Sequence, residues 1–187
     1  METVQPIREK VQITQMQSIL KSQSQRNYIL FNLGIYSGLR ISDILKLKVK
    51  DIRNQTHFIL RETKTGKAKR LKIQPTFKIE MDQYIKGKPD SEYLFKSKKS
   101  TNSIDRVQAY RILSDAAKQL GIPEIGTHSL RKTFGYHFYN QYNDATGRGL
   151  TMLQEIFNHS TPHVTLRYIG ITQDSVDLMI DDFDYAL

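Results

Sequence analysis

In HFILRETKTGKAKRLKI, residues 57–73, the hydrophobic pattern changes to a period of two, and two strand-like runs flank Lys64-Thr65-Gly66-Lys67. That arrangement predicts an antiparallel hairpin closed by a glycine-containing turn. Outward from it the periodicity is helical. Upstream, Ser42 opens a short helix carrying Ile44, Leu45 and Leu47. Before it, a longer helix begins at Ser24, carries Tyr28, Phe31, Leu33 and Ile35, and stops at Gly38. Thr14 with Gln17 resembles a capping box, which predicts a first helix running to about Ser22. Residues 1–13, with Pro6 and little periodicity, read as an extended linker remnant. Downstream, helices are predicted at about 76–86, 105–120, 127–144, 150–157 and 161–169. The expected fold class is mainly α with a small antiparallel β-sheet, with neither internal repeats nor low-complexity segments.

The hairpin is also where charge is densest. The 187 residues hold 28 Lys and Arg against 19 Asp and Glu, a net +9. From Lys46 to Ile73 ten bases face two acids, Asp51 and Glu62. All 28 bases and 14 of the acids lie in residues 1–167, a net +14; the other five acids, Asp174, Asp177, Asp181, Asp182 and Asp184, follow Tyr168 with no base among them. The basic body predicts a polyanionic partner, with nucleic acid first in line. The acidic tail, 173–187, is amphipathic: Val176, Met179, Ile180 and Phe183 fall at i, i+3, i+4 and i+7. No cysteine is present, which excludes disulfides, cysteine nucleophiles and thiolate metal sites and fits a reducing cytoplasm. The longest apolar stretch, 28–36, is too short to span a bilayer, so no membrane partner is expected.

Thr127-His128-Ser129-Leu130-Arg131 is the most informative chemical stretch. With Thr127 as the cap, His128 and Arg131 share a face of the first helical turn, where free N–H groups favour an anion. Alone, that spacing is weak. It gains weight from Gly38-Leu39-Arg40-Ile41-Ser42-Asp43, with an arginine at a tight corner, from Lys64 in the basic hairpin, and from Asn158-His159 followed nine residues later by Tyr168.

In that order, arginine, hairpin lysine, His-x-x-Arg, histidine and tyrosine, the chain resembles the catalytic domain of the tyrosine recombinases, the phage-integrase type of site-specific recombinase. The resemblance runs from about Thr14 to the tail. It implies a catalytic domain over 14–172 and a reaction that cuts and rejoins DNA strands through a 3′-phosphotyrosine, as an integrase of a mobile element, bacterial or phage-derived. It implies that Arg40 and Arg131 clamp the scissile phosphate, that Tyr168 is the nucleophile and that Lys64 is the general acid for the 5′-oxygen. His128 and His159 would handle protons and bind phosphate, and Asp43 would brace the site. Lys48, Lys50, Lys67, Lys69 and Arg70 are expected to bind the duplex. No cofactor or metal is expected, and the partners are double-stranded DNA and further copies of the chain held through the tail. The family's N-terminal DNA-binding domain is expected to be absent.

The residue types suit such chemistry. Guanidiniums stabilise charge gathering on a phosphate without a metal. Ionising a tyrosine of pKa near 10 at pH 7 costs about 4 kcal/mol, and a cationic cluster is expected to lower that cost. An alkoxide leaving group needs a proton, which a hairpin lysine can deliver. Single residues stay open to plainer readings. Arg40 also suits the C-terminal end of the helix before it, Lys67 and Lys69 compete with Lys64, and Tyr168 is one of ten tyrosines. A type IB topoisomerase and a catalytically idle DNA-binding module are the rivals. Two departures stand out: the segment 140–149 is longer than usual for the family, and Asn158 stands where a glycine is usual.

Overall fold

The computed structural model describes residues 4–61 and 66–183, except the side chains of 173, 174 and 177. It is mainly helical with one two-stranded antiparallel sheet. Three helices come first: α1 (Lys10–Gln23), α2 (Gln25–Ser37) and the single turn α3 (Ile41–Ile44). A 3-10 turn (Val49–Asp51) leads into β1 (His57–Arg61) and β2 (Ala68–Lys72), registered from His57 opposite Lys72 to Arg61 opposite Ala68. Then follow α4 (Pro75–Ile85), α5 (Arg106–Gln119), α6 (Thr127–Tyr142), α7 (Arg148–Phe157), α8 (Pro162–Ile169) and α9 (Ile171–Asp181). Among the described residues no helix is long and apolar enough to cross a membrane.

Helix α2 is apolar almost all round and is accordingly central. One side, with Ile29, Leu30 and Leu33, joins α3, the hairpin, α4 and Phe95 in one core; the other, through Phe31, packs with α1, α5 and Leu130 of α6. Leu153, Phe157 and Ile169 form a third cluster between α6, α7 and α8. Gly38 ends α2 at φ +60°, as its position predicts, and Phe134 of α6 lies so close that a Cβ there would come within 2.4 Å of the ring. The chain therefore turns sharply between α2 and α3 directly against α6. That places Arg40, the N-cap of α3, at a helix junction.

Three local expectations are corrected. The first helix starts at Lys10, not Thr14, because both members of the supposed capping box are engaged elsewhere. The Thr14 hydroxyl donates to Lys10 O (3.2 Å) and Gln17 donates to Asn32 Oδ1 (2.8 Å). The segment before α1 is extended but packs as part of the body. Ile7 is 1% exposed, its N–H donates to Thr133 Oγ1 (2.9 Å), and Gln5 N–H donates to Glu124 O (3.0 Å). The N-cap of α6 is Gly126 rather than Thr127, with Ser129 Oγ accepting from Gly126 N–H at 3.1 Å. In the long segment, α6 continues to Tyr142 and α7 starts at Arg148.

Close packing of α6 on α7 and α8 gives one prediction. A Cβ at Gly135 would sit 2.6 Å from Ile169 Cγ2 and 2.8 Å from Phe157 Cε2, and both residues are fully buried. Gly135→Ala is expected to cost about 1–3 kcal/mol, read as a lowered midpoint in urea unfolding.

Candidate active site

Three chain corners converge: the α2–α3 junction, the first turns of α6, and the turn between α7 and α8. Arg131, on α6, is 3% exposed. Its Nη1 donates to Gly38 O (2.5 Å) and its Nη2 to Phe157 O (2.9 Å), and its guanidinium lies over the Phe157 ring at 4.0 Å. The arginine thus ties the end of α2 to the end of α7. Its planar fork of N–H donors is of the kind that suits an anion. Its charge also acts on Tyr168 in the direction of the phenolate.

Tyr168 is held from three sides. Its ring stands edge-on to His159 (centroids 5.2 Å, 72°) and to Phe157 (5.5 Å, 79°), and the Lys132 ammonium lies over its face at 5.5 Å. Burial pushes its pKa up, and the charges of Arg131 and Arg40 pull it back only in part. The expectation that the cluster makes ionisation easier is therefore corrected. The guanidiniums act in that direction, but desolvation outweighs them, so the hydroxyl is protonated at neutral pH.

His159 occupies the turn after α7. The Thr165 hydroxyl donates to Thr161 O (3.4 Å), so its oxygen accepts from His159 Nδ1–H at 3.1 Å. We assign this tautomer from that network; in the neutral ring it leaves Nε2 as the basic nitrogen. Asn158 adopts φ 53°, ψ 48°, the left-handed region that glycine favours and asparagine tolerates. This accounts for the departure from the usual glycine. Its side chain also accepts from Lys67 Nζ (2.9 Å), and Lys69 Nζ donates to Ile156 O, so β2 docks onto the end of α7.

His128 faces solvent on one side. Partial desolvation, then the charges of Arg106, Arg131, Lys132 and Arg40, hold it below its usual pKa. It is neutral at pH 7. Asp43, 4% exposed, lies in the only turn of α3, with its N–H donating to Arg40 O at 2.9 Å. The structure thus brings Arg40, His128, Arg131, His159 and Tyr168 together. Lys64 lies outside the described residues. Arg70 points to His57, with Nη2 3.4 Å from its Nδ1; Lys48 lies over Tyr93 (5.1 Å), and Lys50 N–H donates to Asp90 O. Sequence reasoning passed over Lys132 and Arg106, whose Nη2 approaches His128 Nε2 at 3.5 Å. Neither falls in a motif; the signal for Lys132 was its place beside Arg131.

Residues 8–174 match the model of the phage integrase family. This chain belongs to that family. Across 175 residues it is 48% identical to a probable integrase/recombinase, YoeC, of Bacillus subtilis strain 168, covering 94% of each chain. It is 28% identical to tyrosine recombinase XerA of Pyrococcus horikoshii, covering 79% of this chain but only 51% of that one. The integrase-family chain thus spans nearly all of one relative and about half the length of others. Among solved structures, XerA recombinase superposes with a TM-score of 0.73 at 18% identity, over 99% of this chain and 67% of that one. A Tn1549 transposon integrase in complex with transposon right-end DNA gives 0.66 at 19% identity, over 97% and 66%. At such identities the likeness concerns fold.

Proposed function

We propose that the chain is a DNA strand transferase, a site-specific recombinase or integrase of a mobile element. The observation that carries this reading is a tyrosine set edge-on to His159, with the charges of the buried Arg131 and of Arg40 acting on both Tyr168 and His128. In the reaction, Arg40 and Arg131 hold the non-bridging oxygens of the scissile phosphate. Tyr168 Oη bonds to phosphorus as the P–O5′ bond breaks, and the phenolic proton passes to an imidazole, His128 or His159. Lys64 delivers a proton to the departing 5′-oxygen. The phosphotyrosine conserves the bond energy, so rejoining by the reverse step needs neither ATP nor metal. Asp43 braces the Arg40 corner, and Lys48, Lys50, Lys67, Lys69 and Arg70 bind backbone phosphates. Each phosphate neutralised contributes about −0.9 to the slope of log affinity against log salt.

Nicked suicide duplexes carrying the element's site test this. A covalent protein–DNA adduct is expected; binding without adduct would support the idle-module alternative, and supercoil relaxation without joining of two sites would support a topoisomerase.

Assembly is part of the proposal. Val176, Met179 and Ile180 are 51–72% exposed, so the described body leaves these apolar residues of α9 largely uncovered. The helix begins at Ile171, directly after the Gly170 cap of α8. We read it as docking onto another copy of the chain on DNA, its acidic residues facing a basic body. Deleting 173–187 is expected to reduce multimers on DNA by an order of magnitude or more in gel-shift assays, while single-copy binding changes little. Unchanged assembly would contradict this.

A further inference from the structure

We propose that Lys132 is a positioning residue for the nucleophile: its ammonium, buried against the face of the Tyr168 ring, holds that ring in place and favours the phenolate as it forms. This rests on Tyr168 being the nucleophile, but assigns a residue outside the arginine–histidine–tyrosine set. Lys132 is 6% exposed, an uncommon state for a lysine, and its Nζ lies 5.5 Å from the Tyr168 ring centroid. It follows Arg131 on α6, so consecutive residues of one helix bring a guanidinium charge to bear on Tyr168 and set an ammonium over its ring. As the hydroxyl loses its proton, negative charge spreads onto the ring carbons. A cation over the ring face is then attracted more strongly than by the neutral ring, so the interaction grows toward the transition state.

The charged surroundings are defined on every side. Arg131 and Arg40 act on Tyr168, and His159 stands edge-on to its ring. Burial and the Arg8 guanidinium, from the segment before α1, work against the charge on Lys132, whereas Glu124 supports it. Its pKa accordingly lies below that of an ordinary lysine. The help it gives Tyr168 is present while it is protonated and lost as pH rises through its lowered pKa.

The test is the pH dependence of single-turnover adduct formation on a suicide duplex. Lys132→Met keeps the length of the side chain and removes its charge; Lys132→Arg restores a cation. The methionine variant is expected to form adduct about tenfold more slowly near neutral pH, with its alkaline rise displaced to higher pH and DNA affinity within about twofold of wild type. The arginine variant should recover most of the rate. A methionine variant with wild-type rate and profile would overturn the proposal. So would equal losses in both variants with unshifted profiles, the result of a purely structural role. Should Lys132→Met fail to fold, Lys132→Gln is measured in its place with the same criteria. Absence of adduct in the wild type would instead count against the function of Tyr168 itself.

Discussion

Tyr168→Phe is expected to abolish the covalent protein–DNA adduct while leaving folding and DNA binding intact. The edge-on contacts with Phe157 and His159 are made by the ring, and phenylalanine keeps that ring. Only the hydroxyl is lost, together with its interaction with the charge of Arg131. Since burial already holds the phenol protonated, little ground-state charge stabilisation disappears with it. Unfolding midpoints should therefore agree within about 1 kcal/mol, and gel-shift affinity should stay near the wild-type value. Adduct at the wild-type level from this variant would remove Tyr168 from the reaction.

Arg131→Leu should damage both stability and chemistry. The guanidinium satisfies the carbonyls of Gly38 and Phe157, which come from elements 93 and 26 residues away in sequence. Removing it leaves two acceptors without their charged donor at a buried junction. At about 1–3 kcal/mol for a buried group so deprived, a loss of roughly 2–4 kcal/mol is expected, measurable by urea denaturation. The adduct should fall to background even at temperatures where the variant stays folded. Arg131→Lys should keep a positive charge but cannot span both carbonyls, so an intermediate stability with severely reduced adduct formation is expected. A stable, active leucine variant would show that neither role belongs to Arg131.

The two variants differ in a way that reflects how the site is built. Tyr168 rests on its neighbours, whereas Arg131 is one of the ties that position those neighbours. The arginine on α6 meets Arg40 because Gly38 turns the chain against Phe134 and then gives its carbonyl to Arg131. Lys69 and Lys67 reach the end of α7. The start of β2 is thereby tied near His159.

Much of this was legible in the sequence because it is local. The period-two run at His57–Ile73, the Gly38 stop and the helical stripes each depend on neighbouring residues, and each appears near its expected place. Motif order named Arg40, His128, Arg131, His159 and Tyr168, which lie together, and Lys64, which lies outside the described residues. What was misread depended on partners far along the chain. Thr14 and Gln17 have the right spacing for a capping box, but Gln17 is claimed by Asn32. Ile7 is a single apolar residue in an aperiodic segment, with nothing local to announce that Thr133 and His137 would receive it. For Tyr168, counting cations predicted the wrong net shift, since desolvation cannot be read from composition. The α9 stripe was legible as a pattern, but amphipathicity gives only the existence of an apolar face, not its cover.

The central claim is that this chain's own Tyr168 attacks a DNA phosphate. Trapping the adduct on a suicide duplex, digesting the complex and mapping the modified peptide by mass spectrometry tests it directly. The account predicts a nucleotide joined through its 3′-phosphate to Tyr168, in the peptide that follows His159. Attachment to any other residue, or linkage through a 5′-phosphate, would contradict it.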